Sequence, residues 1–206
     1  MRQSVFIVYA HPGENSFTAG VRDSFIRGLE SSGIGFTLSD LYRMDFRTDL
    51  SEAEYRREAF YRRDLPVPED VAAEQAKIDA ADGIAFIYPL FWSDVPAKLK
   101  GWFDRVWTYG FAYGEAGNAA SSGRTMKQLE KGIVLCCAGN TMDYFRKTGL
   151  LEAQKRIMLQ DRLFDRVGEK ELVIFDGTSR EMASREALRD VHMDRAFRAG
   201  EHFFSR

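Results

Sequence analysis

The chain has 206 residues and a formal net charge of −2, which is enough length for one domain with a sizeable core. This balanced charge gives no broad basic surface, so nucleic acid and an anionic membrane are excluded as expected partners. The sequence has no run of about 18 apolar residues, and Arg2 and Gln3 lead directly into a strand where a signal peptide would be apolar. We therefore expect a cytoplasmic protein without membrane insertion.

The first predicted elements form a βαβ unit. Residues 4–10 are β-branched and aromatic, which indicates a central strand. A helix is predicted next, ending near residue 32, and a short strand follows at residues 36–38. Three residues are plausible caps for the start of the helix: Asn15, Ser16 and Thr18.

Residues 43–64 differ in composition from the segments before them, because they carry six basic and six acidic side chains with aromatics among them. Mixed charge of this kind is typical of a solvated helical face, but the aromatics also fit a contact with a second subunit. Both interpretations stay open at this point. Pro66 and Pro68 break the pattern, and a helix is predicted over residues 69–81.

Residues 84–113 are the stretch around which the chain is organised. The run at residues 84–88 is apolar without alternation, as expected for a strand that is covered on both faces. The strand ends at Pro89, and Phe91 and Trp92 follow in a loop. Open α/β sheets bind ligands at the carboxyl ends of their strands, so this loop is predicted to be a platform for a flat molecule.

The remaining elements complete an alternation of strands and helices. They are a helix with Pro96 in its first turn and an apolar face of Leu99, Phe103 and Val106, a loop over residues 114–123, strands at 132–138 and 172–175, and helices at 143–164 and 184–203. The last helix has its apolar side chains at Leu188, Val191 and Phe197. The order βαβαβαβαβ, without internal repeats, predicts a single domain with a doubly wound parallel sheet.

The two cysteines, Cys136 and Cys137, are neighbours in an apolar run. Neighbouring cysteines have poor geometry for a disulfide, and two are too few for a zinc site. We expect buried thiols in a reducing compartment and no metal site.

The central stretch resembles a known family over a long motif. It reads Y-P-L-F-W, then P-A-K-L-K-G-W-F-D-R-V and then G-F-A-Y, and similar segments occur in the flavodoxin-like NAD(P)H:quinone oxidoreductases. The amino-terminal Y-A-H-P, with Ser16 and Phe17 after it, is similar to the family's first flavin loop. The resemblance covers nearly the whole chain. It implies a flavodoxin-like fold, in which helices cover both faces of a five-stranded parallel sheet of order 2-1-3-4-5.

In that strand order, the loops after strands one, three and four converge on one crevice, because these strands are neighbours where the order reverses. The first loop meets a helix amino terminus, which favours a phosphate, and the glycine spacing there fits neither a Rossmann nor a Walker motif. The cofactor-binding residues predicted from the three loops are His11, Ser16, Phe17, Thr18, Pro89, Leu90, Phe91, Trp92, Ala138, Gly139 and Asn140. Taken alone, His11 is also compatible with a hydrogen-bonded histidine at a strand end.

The chain departs from the family at the proton relay. Mammalian-type members carry T-T-G-G in the third loop and a relay of a tyrosine and, six positions later, a histidine, whereas no histidine lies between His11 and His192 here. Tyr144 is the candidate catalytic residue, with water or the cofactor itself as alternative proton sources. Tyr113 matches a substrate-side tyrosine of the family, and Trp92 is predicted to border the substrate with it.

The resemblance implies a flavin-dependent oxidoreductase that passes hydride from NADH or NADPH to quinone-like acceptors by a ping-pong mechanism. FAD is favoured as the cofactor, with FMN as the alternative, because the crevice suits both. Two other classes stay open, namely a flavin-binding regulatory subunit of a potassium efflux system and a flavodoxin-type electron carrier.

A homodimer with shared active sites is also predicted, because one sheet domain has little chain left to shield the second face of a flavin from water. Exposed aromatics would be buried by pairing two copies about a twofold axis. The aromatics expected at that interface are Phe46, Tyr55, Phe60, Tyr61, Trp107 and Phe111.

Overall fold

The computed structural model describes residues 2–114, 123–179 and 184–205. At its centre lies a sheet of five parallel strands in the order β2-β1-β3-β4-β5, which confirms the predicted fold and strand order. The strands are β1 (Ser4–Tyr9), β2 (Gly35–Asp40), β3 (Gly83–Pro89), β4 (Leu129–Cys137) and β5 (Val167–Phe175). Most of the predicted loop over residues 114–123, namely residues 115–122, lies outside the described residues.

Helices cover both faces of the sheet. They are α1 (Phe17–Ser31), α2 (Glu52–Ala59), α3 (Glu69–Ala80), α4 (Ala97–Val106), α5 (Met142–Lys147), α6 (Leu150–Gln154) and α7 (Ser184–Glu201), with a π-helix at Lys155–Leu163 and a 3-10 turn at Phe164–Arg166. Within the described ranges, every helix is too short or too polar to span a bilayer.

The two faces of the sheet have separate cores, because side chains alternate along each strand. In β1, Val5 and Ile7 pack with α1 and α7, while Phe6 and Val8 pack with α3, α4 and the π-helix. Since both faces are covered, β1, β3 and β4 each contain a continuous apolar run, which is the pattern that made them recognisable in the sequence. Cys136 and Cys137 are buried free thiols, one in each core.

Helices α1 and α7 cross at two glycines. A Cβ atom on Gly28 would lie 2.0 Å from the Phe197 carbonyl oxygen, and one on Gly200 would lie 2.1 Å from the Phe25 carbonyl oxygen. Only glycine permits this approach, and it fixes α7 beside the helix that begins at the carboxyl end of β1.

Two helix predictions are wrong. The single helix expected over residues 143–164 is interrupted, because Gly149 takes a left-handed conformation with φ 76° and ends α5, and the chain then continues through α6 into the π-helix. Val191 is exposed, since the buried face of α7 follows His192, Ala196 and Gly200 at intervals of four residues.

The charged segment 43–64 is also more buried than a solvated face. Its only helix is α2, on which Glu54 and Arg57 are buried. Among the aromatics expected at a dimer interface, Phe46 and Phe111 are buried and Trp107 is partly buried, so the prediction that these three are exposed is wrong. The exposed ones are Tyr55, Phe60 and Tyr61.

A buried ion network holds this segment against α4. The Arg105 guanidinium, which is fully buried, donates to Glu54 Oε1 at 2.7 Å and to Asp70 Oδ1 at 2.9 Å. Arg47 donates to the second Glu54 oxygen at 2.6 Å, and Ser51 forms a capping box with the same carboxylate. Burial alone would raise the pKa of Glu54, but the hydrogen bonds from Ser51, Arg105 and Arg47 outweigh it and lower this pKa to about 2.

Candidate active site

The carboxyl ends of the strands meet at a cleft of about 390 Å³. It lies where the strand order reverses, between the loops that follow β1, β3, β4 and β5. The described residues that line it are His11, Gly13, Asn15, Ser16, Phe17, Thr18, Pro89, Leu90, Phe91, Cys137, Gly139, Thr178 and Ser179. The structure therefore brings together most of the predicted cofactor-binding residues.

The loop after β1 ends at the amino terminus of α1. Ser16 is the N-cap, and its side-chain oxygen accepts a hydrogen bond from Ala19 N at 3.0 Å. The Ser16 hydroxyl hydrogen is not needed for this bond, and it can be donated either to the Tyr9 oxygen or to a ligand in the cleft. The positive end of the α1 dipole points in the same direction, which favours an anionic group there.

His11 is partly buried beside this terminus, and its Nδ1 atom lies 2.9 Å from both Gly13 N and Gly13 O. If Nδ1 accepts from Gly13 N, Nε2–H is left to donate to a ligand; if Nδ1 donates to Gly13 O, Nε2 is left to accept from one. Burial is the main influence on the His11 pKa and lowers it, so the neutral ring is favoured at pH 7.

Thr18 and Cys137 lie deeper in the cleft. Thr18 is buried, and its hydroxyl makes a hydrogen bond with the Cys137 thiol. Burial raises the pKa of this thiol to about 12, and the Thr18 bond opposes the rise only in part. Cys137 is therefore a wall of the cleft and not a nucleophile.

The loop after β3 presents its residues in order of increasing exposure. Leu90 N donates to Cys137 O at 2.8 Å, which ties the loop to β4. Phe91 lines the cleft and is 44% exposed, whereas Trp92 is fully exposed and does not line the cleft. The predicted aromatic platform is thus divided between a cleft residue and a residue beside it.

The loop after β4 is anchored to the loop after β5. Ala138 is buried, and its carbonyl oxygen accepts from both the backbone and the side chain of Thr178 at 3.0 Å. Gly139 lines the cleft, and a Cβ atom there would meet nothing closer than Ser179 Cβ at 3.6 Å. Asn140 is exposed outside the lining, and its carbonyl oxygen accepts from Gly177 N.

The sequence reasoning missed five lining residues, namely Gly13, Asn15, Cys137, Thr178 and Ser179. Thr178 and Ser179 follow β5, whose carboxyl end lies at the same edge of the sheet beside β4. A usable signal was present, because the predicted order already made strand five a neighbour of strand four.

Tyr113 and Tyr144 do not line the cleft. The Tyr113 hydroxyl donates to Glu58 Oε2 at 2.9 Å, and burial, followed by the Glu58 carboxylate, raises the Tyr113 pKa. Tyr144 is 45% exposed near the start of α5, where its backbone N–H donates to the Thr141 cap.

A second cavity of about 310 Å³ adjoins the cleft between α1 and α7. It shares Asn15, Ser16 and Phe17 with the cleft. The rest of its lining consists of Glu14, Ala19, Gly20, Asp23, Glu186, Arg189 and Met193.

Comparison with known proteins agrees with this architecture. The chain matches the family model of the flavodoxin-like fold over residues 3–199. It is 34% identical over 163 residues to ribosyldihydronicotinamide dehydrogenase (quinone) of Homo sapiens, which covers 72% of this chain and 68% of that relative. The solved structure of NAD(P)H:quinone oxidoreductase from Methanothermobacter marburgensis has a TM-score of 0.90 and 42% identity, and covers 100% of this chain and 99% of that one. The general stress protein 14 of Treponema denticola, solved in complex with FMN, shares the fold with a TM-score of 0.64 and 21% identity over 97% of both chains.

The sheet order and the cleft define a doubly wound α/β protein with its ligand site at the reversal of strand order. The chain belongs to the flavodoxin-like family and, within it, to the NAD(P)H:quinone oxidoreductases, and it is therefore an oxidoreductase.

Proposed function

We propose that this oxidoreductase uses a flavin held in the cleft to transfer electrons from NADH or NADPH to quinone-like acceptors. The observation that carries the proposal is the cleft itself, which combines a helix amino terminus, a loop aromatic and a glycine backbone at one edge of the sheet. When bound, an isoalloxazine supplies hydride chemistry, taking two electrons from nicotinamide and giving them to the acceptor in ping-pong order.

The residues present fit such a cofactor. Ser16 and the α1 amino terminus would bind its phosphate, with a further bond from His11 Nε2. Phe91 offers a ring face, and the missing side chain at Gly139 leaves room for a flat ring system against the backbone.

FAD is the proposed form of the flavin, because the second cavity continues from the phosphate end of the cleft. It would take an adenosine group that FMN lacks. The cavity offers a guanidinium at Arg189, a thioether at Met193 and a carboxylate at Asp23, a mixture that suits a polar sugar and an apolar base.

Trp92, Tyr113 and Tyr144 are proposed to act on the side of the substrates. Trp92 stands beside the cleft with its whole indole exposed, which suits stacking with a flat nicotinamide or acceptor. Tyr144 is proposed as the proton donor, since its half-exposed side chain belongs to the helix that begins after the β4 loop.

A homodimer is part of the same proposal. Tyr55, Phe60 and Leu65 border a groove of about 600 Å³ whose apolar surface faces solvent. A second copy would cover this surface, and an obligate interface of this kind should exceed roughly 2,000 Å² in total.

A cytoplasmic location is also proposed, because the two cysteines are buried and free.

The test begins with the spectrum and mass of the cofactor released from purified protein, and we expect FAD. Steady-state oxidation of NADH and NADPH with a soluble benzoquinone should give parallel double-reciprocal lines. Failure of the apoprotein to bind either FAD or FMN at micromolar concentration would overturn the proposal.

The form of the flavin is tested with variants of α7. Changing both Arg189 and Met193 to alanine should weaken FAD binding and leave FMN binding unchanged, because only the second cavity is altered. Arg198→Ala is the control, since Arg198 is an exposed residue of the same helix outside that cavity. Equal losses for FAD and FMN would contradict the proposed adenosine position.

A further inference from the structure

The loop after β3 contains a strained two-residue turn. Phe91 and Asp94 pair as an antiparallel bridge, with Phe91 N donating to Asp94 O at 2.9 Å and Asp94 N donating to Phe91 O at 3.1 Å. The two residues between them, Trp92 and Ser93, have φ values of 51° and 63°. Positive φ at both central positions defines a type I′ turn, which favours Asn-Gly because side chains crowd the backbone there.

A buried glutamine holds this turn from behind. Gln154 is 2% exposed, and its side-chain Nε2 donates to the Ser93 carbonyl oxygen at 2.6 Å. It stands at the junction of α6 and the π-helix, and π-helical turns recur at functional sites. A strained turn of this kind persists only where its surroundings over-determine it.

The far end of the π-helix makes a second, weaker contact with the same turn. The Arg162 guanidinium lies 3.4 Å from Asp94 Oδ1 and is stacked on the Phe103 ring at 4.9 Å. Both contacts therefore come from one segment, but only the Gln154 bond has the length of a strong hydrogen bond.

We propose that Gln154 is a positioning residue, whose bond to the Ser93 carbonyl keeps the turn left-handed and so fixes the position of Trp92 and Phe91. The functional part of this inference rests on the proposed flavin site, because Leu90 and Phe91 of the same loop line the cleft. Without the bond, Ser93 relaxes toward negative φ, the Phe91–Asp94 pairing opens, and the cleft loses one wall.

The position of Ser93 gives a direct test. Glycine adopts positive φ without the crowding that a side chain causes, so Ser93→Gly makes the left-handed turn independent of the hydrogen bond from Gln154. Removing the Gln154 donor should therefore disturb the turn, and adding Ser93→Gly in the same chain should restore it. A merely structural role of Gln154 in packing α6 would not be rescued by a glycine in another loop.

The experiment uses Gln154→Met, which keeps the length and loses the donor, alone and combined with Ser93→Gly. The protein is labelled with 5-fluorotryptophan, which gives three ¹⁹F resonances because the chain has three tryptophans, and the Trp92 resonance is identified with Trp92→Phe. We expect Gln154→Met to shift and broaden the Trp92 resonance and to weaken FMN binding about tenfold. Adding Ser93→Gly should restore both.

Gln75→Met is the matched control. Gln75 also donates from its side chain to a backbone carbonyl at 3.1 Å, but that carbonyl belongs to Val106 at the end of α4 and not to the turn. It should leave the Trp92 resonance and FMN binding unchanged. If Gln154→Met does not fold, Gln154→Asn keeps an amide at the site but is one methylene shorter, and it should give the same two changes.

An unaltered Trp92 resonance in the Gln154 variant, or a shifted one that Ser93→Gly leaves shifted, overturns the proposal. The resonance is measured in the apoprotein as well, so the effect of the Gln154–Ser93 hydrogen bond on the turn is tested even if the wild-type protein binds no flavin. A wild-type protein that binds no flavin would contradict the proposed flavin site. The role of Gln154 in holding the turn would still be decided by the Trp92 resonance.

Discussion

The charged segment 43–64 and the cleft are both polar, but they use their polar groups in opposite ways. In the segment, the Glu54 carboxylate accepts from Ser51, Arg47 and Arg105, and Glu58 accepts from Tyr109 N and Tyr113 Oη. The described residues that line the cleft include no Asp, Glu, Lys or Arg. Its polar groups, such as the Ser16 hydroxyl and the His11 ring, have hydrogen-bonding capacity left for a ligand.

This difference separates stability from binding. Charges that already have partners inside the protein hold elements together and cannot also hold a ligand. Groups positioned by one hydrogen bond and left with another to make are suited to a ligand. Changes in the segment should therefore alter the free energy of unfolding, and changes in the cleft should alter flavin affinity or turnover.

The largest effect is expected for Arg105→Met. This change leaves Glu54 and Asp70 without their shared cation, and loss of one partner from a buried ion pair costs about 3–5 kcal/mol. Urea unfolding should show this loss, while the fraction that stays folded should bind FMN with wild-type affinity. A loss below about 1 kcal/mol would show that the network is solvated in solution.

The second largest effect is expected from acid, which should lower the free energy of unfolding through Glu54. The pKa of Glu54 falls from 4.5 in the unfolded chain to about 2 in the folded protein, so its contribution is present above pH 4.5 and disappears as the pH falls toward about 2. The shift corresponds to about 3 kcal/mol. Glu54→Gln should lose about this amount at pH 7 and flatten the unfolding free energy between pH 4.5 and 2, as followed by circular dichroism.

The same contrast explains what the sequence could and could not reveal. The sheet order and the convergence of the loops were predictable, because buried parallel strands are continuous apolar runs and their carboxyl ends share one edge. The burial of Phe46 was not, since it depends on Arg105, whose guanidinium lies 5.0 Å from the Phe46 ring and far along the chain. Nor was the left-handed Trp92–Ser93 turn, which contains neither the glycine nor the asparagine that usually signals it.

In the cleft, Gly139→Val should weaken FMN affinity about tenfold, or about 1.4 kcal/mol, because the new side chain occupies space proposed for the ring. The unfolding free energy should change by less than about 0.5 kcal/mol, since a Cβ atom there has ordinary contacts. Gly35→Val is the control, because Gly35 on the edge strand also has room for a Cβ atom. Equal FMN affinity in the wild-type and Gly139→Val proteins would place the ring elsewhere.

The smallest effect is expected for Trp92→Ala, and it should separate substrate binding from flavin binding. The indole is fully exposed and makes none of the bonds that form its turn, so the unfolding free energy should stay within about 0.5 kcal/mol of the wild type. Phe91 and Leu90 keep their places, because the turn and the Gln154 bond remain, and FMN affinity should therefore not change. What is lost is a stacking surface beside the cleft, which lowers kcat/KM for the nicotinamide or the quinone about fivefold, in line with about 1 kcal/mol for an aromatic contact. Stopped-flow reduction of the flavin by NADH, followed by reoxidation with a benzoquinone, identifies which substrate depends on Trp92. If both half-reactions keep their wild-type rates, Trp92 has no part in the site.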